Sequence, residues 1–249
     1  MKRPTRVERK LMRKKIALRL ILLLSLMGVV VVFSLRTSYF NIEQIDIAGN
    51  IKLTEEEIIA ASKIIKGENI FKVNTSSCKE NIINIPYVKE VSIKRKLPRK
   101  IKIQITERTG TFQIKSLSTF LKIDIEGYVL EQAENRDENL PIITGVEVSN
   151  IRPGENFFNS MENKNVVDFI TEGYNIGLLA DMTEVTMELF DDINIVLKEG
   201  ITVAFGALDN VKYKVRYLNE ILKDIEEKEI KVKKIIMNKG DNPILVIDN

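Results

Sequence analysis

An uncharged apolar stretch near the N-terminus constrains this chain more than any other feature. Residues Leu20 to Leu35 read LILLLSLMGVVVVFSL, without one charged side chain. As a helix this stretch covers about 24 Å, slightly less than the roughly 30 Å hydrocarbon core of a bilayer. Residues 16–19 close the gap, because the long Arg19 side chain can extend to the headgroups. The stretch predicts a single transmembrane helix at residues 20–36.

The charges on either side of this stretch predict its orientation. Residues 1–19 contain nine Lys and Arg against Glu8, so nine minus one leaves about +8 on this arm. The whole chain carries +3, so the remainder carries about −5. The positive-inside rule therefore predicts a cytoplasmic tail at residues 1–19 and an extracytoplasmic body after Thr37. A basic arm can also bind nucleic acid, but the adjoining span argues for a membrane and against that partner.

A cleaved signal peptide is the alternative to a permanent anchor. Val32 to Ser34 weakly match a cleavage site. The basic region and the apolar run are both longer than those of a typical signal peptide, which favours the anchor.

The composition argues against several kinds of chemistry. The chain has no histidine, and its one cysteine, Cys78, cannot form an intramolecular disulfide and is predicted to be a core residue. No nucleophile elbow or phosphate-binding Gly-Lys-Ser/Thr motif is present. Asp191 and Asp192 are adjacent, so on a strand they would point to opposite faces. We therefore expect no enzyme activity and no catalytic, cofactor-binding or metal-binding residues.

Residues 40–108 predict a small two-layer domain. Ile45 and Ile47 alternate with Asp46 as in a half-buried strand. Thr54 and Glu57 have the spacing of a helix capping box, and Gly67 suits the position just past the end of that helix.

The rest of this segment predicts a second helix and two strands. Ser77 and Glu80 again have capping-box spacing, and Pro86 should end the helix. Strands follow at residues 91–93 and 101–105. The order strand, helix, helix, strand, strand predicts an α+β fold with two helices on one face of a sheet.

Residues 109–247 predict a second, β-rich domain with helices. Glu126-Gly127 forms the turn of a hairpin, and a helix spans Val166 to Tyr174. Val211 to Ile225 carry apolar residues in steps of four and three, which indicates an amphipathic helix. Further strands are predicted at residues 185–189, 193–198, 201–205, 235–237 and 243–247.

Five short motifs follow one another along residues 40–108, directly after the apolar stretch. They are Gly49-Asn50, Gly67-Asn69-Phe71, Pro86-Val88, Arg95-Pro98 and Glu107-Arg108. In this order they resemble the POTRA domain, which follows a membrane anchor, of the FtsQ/DivIB proteins of bacterial cell division. Farther on, FLKIDIEGYVL and LPIITG resemble segments of the family's second domain, whereas the final segment lacks its frequent Asp-Leu-Arg.

The resemblance implies a non-enzymatic scaffold at the division septum. It implies partners of the FtsL and DivIC/FtsB type, and a link to septal peptidoglycan synthesis. One rival is an extracytoplasmic POTRA chaperone, which would need tandem POTRA repeats or a barrel. Another is a membrane-anchored cell-wall enzyme, which would need a cleft with paired carboxylates.

Two surfaces are candidates for binding. Basic residues surround the turn near Pro98, and they form either a solvated turn or a contact for anionic headgroups or cell-wall polymer. They are Lys94, Arg95, Lys96, Arg99 and Lys100.

The second surface is the last strand, which a partner strand could extend if it lies at a sheet edge. The alternative is a closing strand paired on both sides. The predicted partner-binding residues are Ile244, Leu245, Val246 and Ile247, with Tyr213 and Tyr217 on the neighbouring helix.

Overall fold

The computed structural model describes residues 6–148, 151–187, 192–240 and 242–247. Predicted strand residues 188–189 and Asp191 lie outside these ranges. The chain divides into two compact units, the first formed by residues 1–83 and 90–107 and the second by residues 84–89 and 108–249.

A long N-terminal helix, α1 (Arg6–Arg36), contains the predicted apolar stretch. Among the described residues, its part from Met12 to Arg36 is the one helix long and apolar enough to cross a membrane. Its large apolar side chains from Met12 onward are exposed all round, from 36% at Leu35 to 65% at Leu26. This exposure is expected of a helix that lipid covers instead of protein. The helix also includes much of the basic arm, because Arg, Lys and Leu are good helix formers.

The first unit has the predicted order of strand, helix, helix, strand, strand. Its elements are β1 (Gln44–Ala48), α2 (Glu55–Ser62), α3 (Thr75–Ile83), β2 (Val88–Lys96) and β3 (Lys100–Glu107). The sheet order is β1-β3-β2, with β1 and β3 parallel. Ile101, Ile103 and Ile105 alternate along β3 and are buried. The predicted α+β fold is confirmed.

The helix boundaries in this unit follow the sequence in part. The capping box of Thr54 and Glu57 forms as predicted. The helix, however, ends at Ser62, and Lys63 takes the left-handed backbone at its end, so the prediction for Gly67 is wrong. Gly67 instead lies in a turn that pairs with Ile42.

The second helix begins earlier than predicted. The Asn74 side chain accepts hydrogen bonds from the backbone N–H groups of Ser76 and Ser77, so Asn74 caps the helix and Ser77 does not. An Asn side chain satisfies free N–H groups at a helix start as well as Ser does. Cys78 is buried, as predicted.

The second unit is built on one nine-stranded mixed sheet, with the order β12-β11-β10-β9-β8-β7-β4-β5-β6. Its strands are β4 (Gly110–Ser116), β5 (Thr119–Asp124), β6 (Val129–Ala133), β7 (Ile142–Thr144), β8 (Met182–Thr186), β9 (Ile193–Leu197), β10 (Thr202–Gly206), β11 (Val232–Ile236) and β12 (Ile244–Ile247). No strand was predicted at β4, and β8 begins three residues before the strand predicted at residues 185–189.

Two helices cover one face of this sheet. They are α4 (Lys164–Asn175), which connects β7 to the parallel β8, and α5 (Val211–Glu227), which connects β10 to the parallel β11. Phe169 of α4 packs edge-to-face on Phe205 of β10, with ring centroids 5.4 Å apart. Val215 and Leu218 of α5 are fully buried in the same core. The predicted amphipathic helix is confirmed.

Candidate partner-binding site

The last strand, β12, lies at one end of the nine-stranded sheet. It pairs antiparallel with β11, with Leu245 opposite Ile235 and Val246 opposite Lys234, and it has no strand on its other side among the described residues. Alternate backbone N–H and C=O groups of an edge strand point away from the sheet and can accept an added strand.

The side chains of β12 are apolar but exposed. Ile244 is 49% exposed, Val246 41% and Ile247 58%. Leu245 differs, because it is partly buried and packs against the core of the second unit. An exposed apolar edge strand is unusual in a protein without a partner, since natural edges are normally protected by charge, proline or a covering loop.

The face of the sheet on which each residue lies follows from the strand pairing. Ile235 is buried under the helices, so Leu245, opposite it, faces the helices too. Ile244 and Val246 therefore face the opposite side, where Ile236 of β11 is opposite Ile244. Ile236 lies in a predicted strand but is not among the predicted partner-binding residues. The pair Ile235-Ile236 was a signal, because adjacent apolar residues on a strand indicate that both faces are apolar.

The tyrosines predicted to join this site stack on each other on α5. The ring centroids of Tyr213 and Tyr217 lie 5.8 Å apart, with an angle of 20° between the rings. Tyr213 is 67% exposed and Tyr217 is partly buried. One stacked aromatic pair thus covers a turn of the helix surface.

The ion pairs of α5 show which way this tyrosine pair faces. Arg216 contacts Glu172 of α4 at 2.5 Å, and Lys212 contacts Asp168 at 3.6 Å, so these residues mark the side toward α4. Each tyrosine is two residues from the buried Val215, about 200° around the helix, so the pair faces away from the core of the second unit. The pair therefore lies on the outer surface of α5, about 100° from the residues that contact α4.

Lys122 and its acidic neighbours form one structural cluster of titratable groups in the second unit. Lys122 contacts Glu131 and Asp137, each at 2.9 Å. The hydrogen bond from Lys122 is the main reason that the pKa of Asp137 is lowered. Burial, then the interaction with Glu131, raises the pKa of Tyr87. The cavity beside this cluster has a volume of about 90 Å³, whereas a larger groove of about 880 Å³ is lined by residues of α5 and neighbouring loops, among them Lys198, Glu226 and Glu229.

Two other kinds of site chemistry can be checked in the structure, a reactive thiol at Cys78 and a group of metal-binding side chains. Burial raises the pKa of the Cys78 thiol, which makes it a poorer nucleophile. Within the described ranges, no three His, Cys, Asp or Glu side chains form a group that could hold a metal ion.

Two family models match the chain. The model described as "POTRA domain, FtsQ-type" matches residues 40–108. The model described as "Cell division protein FtsQ/DivIB, C-terminal" matches residues 114–248.

Individual proteins show the same similarity. The cell division protein DivIB of Clostridium botulinum is 30% identical over 241 residues, which cover 95% of this chain and 93% of that protein. The cell division protein FtsQ of Corynebacterium glutamicum is 27% identical over 209 residues, covering 82% and 86%. A solved structure of the major extracytoplasmic domain of DivIB from Geobacillus stearothermophilus is 15% identical, covering 49% of this chain and 97% of that one, and the TM-score is only 0.31.

Proposed function

Because this chain belongs to the FtsQ/DivIB family of cell division proteins, we propose that it acts as a non-enzymatic scaffold of the bacterial division apparatus. It joins other membrane division proteins and supports septal peptidoglycan synthesis. Its expected partners are bitopic proteins of the FtsL and DivIC/FtsB type, and its expected location is the division septum. The observation that carries the scaffold proposal is the apolar, exposed edge strand β12.

The proposed arrangement has four parts. A cytoplasmic tail comprises residues 1–19, and a transmembrane helix comprises residues 20–36. A POTRA domain at residues 40–108 and an FtsQ-type β domain at residues 109–247 lie outside the cytoplasm. Protease added to intact protoplasts should therefore digest the two outer domains and spare the tail. Protection of the C-terminal part until lysis would contradict this topology.

Location in the cell tests the scaffold proposal as a whole. A fluorescent protein fused to the N-terminus of the full chain should produce a band at midcell during division. A uniform signal around the envelope in dividing cells would contradict a divisome role.

We propose that a partner strand pairs with the outer edge of β12. Its backbone groups would form the pairing, and its apolar side chains would cover Ile244 and Val246 on the face away from the helices. Tyr213 and Tyr217, on the outer surface of α5, would supply aromatic contact area. Tyrosine is enriched among the residues that dominate binding energy.

Proline substitutions test the backbone part of this site. Leu245 and Val246 are adjacent, so the N–H of one points to β11 and the N–H of the other points out of the sheet. Leu245→Pro or Val246→Pro should abolish capture of a co-expressed DivIC/FtsB-type protein by the full chain. The matched control is Gln132→Pro, in β6 at the other end of the sheet. Unchanged capture by both β12 variants would refute the edge proposal.

Alanine substitutions test the aromatic part. Tyr213→Ala together with Tyr217→Ala should weaken capture about fivefold or more, as expected when contact residues worth more than about 1 kcal/mol are removed. Tyr174→Ala is the matched control, because Tyr174 is 48% exposed on the other helix, α4. Equal capture by the double variant and the control would exclude the tyrosines from the site.

A further inference from the structure

The outer end of α1 is joined directly to the first unit. The Asn69 side-chain amide donates a hydrogen bond of 2.8 Å to the backbone carbonyl of Ser34, in the last turn of the helix. Asn69 is 5% exposed, and the next residue, Ile70, donates its backbone N–H to the carbonyl of Phe40 at 2.9 Å. The segment around residues 69–72 therefore lies beside the point where the helix leaves the membrane.

The strand pairing brings a third segment to the same place. Because β1 and β3 are parallel, with Gln44 opposite Lys100, the start of β3 lies next to the start of β1. The carbonyl of Arg99 accepts hydrogen bonds from the backbone N–H groups of Glu43 and Gln44. The turn between β2 and β3, which contains Leu97, is thus at the end of the unit that faces the membrane helix.

This end of the unit exposes aromatic and apolar side chains. Tyr39 is 53% exposed, Phe71 39% and Leu97 58%. Phe40 links the two other rings, with edge-to-face contacts of 5.1 Å to Tyr39 and to Phe71. Aromatic side chains are enriched at the level of lipid headgroups, where a ring can bury its apolar part and keep its polar edge in water.

The same end is positively charged. Arg36, Lys72, Arg95, Lys96 and Arg99 lie here, against Glu43 and Glu68, so five minus two leaves a net charge of about +3.

Several of these cations already have partners. Arg99 pairs with Glu43 and lies 5.4 Å from the centre of the Tyr39 ring. Arg95 donates to the carbonyls of Ile70 and Val73 at 2.9 and 2.6 Å. In the part of the chain that the structure describes, Lys72 and Lys96 are exposed and have no carboxylate partner. They are available for an anionic ligand.

We propose that this end of the first unit is a lipid-binding surface that rests in the headgroup layer around α1 and prefers anionic phospholipid. Its apolar side chains enter the interface, and its lysines contact phosphate groups. The occupant follows from position, because α1 places this end of the unit against the bilayer that the helix crosses. We call it the membrane-facing surface; its residues are Arg36, Tyr39, Phe71, Lys72, Lys96 and Leu97.

The absence of tryptophan from the chain allows a direct test of depth. The full chain is reconstituted in lipid nanodiscs as Leu97→Trp or Phe71→Trp, with lipids brominated close to the headgroup as quenchers. Ile51→Trp is the matched control, because Ile51 is 91% exposed and lies beyond the opposite end of β1. Emission from the Leu97→Trp and Phe71→Trp chains should be quenched, and emission from the Ile51→Trp chain should be unaffected. Equal emission loss in all three variants, or none in the first two, would overturn the proposal.

Charge is tested in the Leu97→Trp background. Quenching should be stronger in phosphatidylglycerol than in phosphatidylcholine nanodiscs. Near an anionic bilayer each lysine contributes about fivefold to the local binding equilibrium, so Lys72→Gln with Lys96→Gln should lower the ratio of docked to undocked chains about 25-fold at low salt.

Two exposed lysines elsewhere in the unit provide the charge control, Lys79→Gln with Lys102→Gln, which should have no effect. The preference for anionic lipid would be refuted if the extent of quenching were the same in both lipids and were unchanged by the Lys72 and Lys96 substitutions. Emission from the Leu97→Trp chain that changes only when anionic cell-wall polymer is added, and not with brominated lipid, would assign the surface to the polymer instead.

Discussion

Replacing Glu107 with glutamine should destabilise the first unit, because this carboxylate holds a whole loop. Its Oε1 accepts backbone hydrogen bonds from Ile51 at 2.9 Å and Leu53 at 3.0 Å, and its Oε2 accepts one from Lys52 at 2.8 Å. The loop connects β1 to α2, and three of its consecutive N–H groups converge on this one carboxylate.

The expected loss of stability depends on which of these three hydrogen bonds a glutamine side chain can still accept. Its one carbonyl oxygen can still accept from Ile51 and Leu53, but as a neutral acceptor, and its NH₂ group meets the N–H of Lys52, which is also a donor. Losing one bond at about 1 kcal/mol and weakening two by about 0.5 kcal/mol each predicts a loss of about 2 kcal/mol in the free energy of unfolding. This is about a thirtyfold change in the ratio of folded to unfolded chains.

The single cysteine supplies the assay. Cys78 is 8% exposed in the core of the first unit, so alkylation of its thiol during urea titration of the full chain in detergent reports the unfolding of that unit. Glu90→Gln is the control, since Glu90 is an exposed residue of the same unit.

The dependence on pH gives a second, independent check. Burial acts to raise the pKa of Glu107, but the hydrogen bonds from the backbone outweigh it and lower the pKa below 4.5. The stabilisation from a carboxylate with a lowered pKa is present above its unfolded pKa and is lost as the pH falls through the folded pKa. The stability gap between wild type and Glu107→Gln should therefore close on acidification below about pH 4.5. Equal urea midpoints for the Glu107→Gln and Glu90→Gln variants would refute this account. So would a difference in stability between wild type and Glu107→Gln that stays the same in acid.

Two further substitutions test contacts that local sequence does not reveal. The side chains of Arg108 and Asp124 are 10% and 5% exposed and pair at 2.6 Å. Arg108→Met should lower the free energy of unfolding of the second unit by about 3–5 kcal/mol, because it leaves a buried carboxylate unpaired. Hydrogen exchange of β5 and β6 measures this loss. Partial recovery in Arg108→Met with Asp124→Leu is expected, because the buried charge is removed while the backbone N–H of Tyr128 loses its carboxylate acceptor. A cost below about 1 kcal/mol for the single variant would contradict the assignment. Gly49→Ala should accelerate Cys78 labelling far more than Gly67→Ala. Both glycines have a positive φ, so both substitutions strain the backbone. Only at position 49 would the added Cβ also clash, because it would lie 2.0 Å from the Ile105 carbonyl oxygen, whereas no atom lies within 4 Å at position 67. Similar labelling rates for the two glycine variants would show that strain alone, about 1–2 kcal/mol, decides the outcome.

The family motifs illustrate how a pattern can be recognised before its physical role is known. Gly49, Asn69 and Glu107 were identified in the sequence by their order and spacing. The structure explains them by long-range partners: the carbonyl of Ile105 for Gly49, the carbonyl of Ser34 for Asn69, and the loop from Ile51 to Leu53 for Glu107.

Features determined by neighbouring residues could be predicted from the sequence alone. The apolar helix, the Thr54–Glu57 capping box and the amphipathic α5 all follow from periodicity or from side chains three to four residues apart. Periodicity reports burial on one face of an element. The strand predicted at residues 101–105 forms for the same reason, with its isoleucines buried on one face.

Only the tertiary structure decided which element lies beside which. The edge position of β12 and the meeting of residues 39, 71 and 97 at the end of α1 both depend on strand order and on pairing between distant segments. An edge strand and a central strand can have the same apolar sequence, because their difference lies in whether a second neighbour is present. That neighbour is specified by the rest of the chain or by another protein, and no local pattern records it.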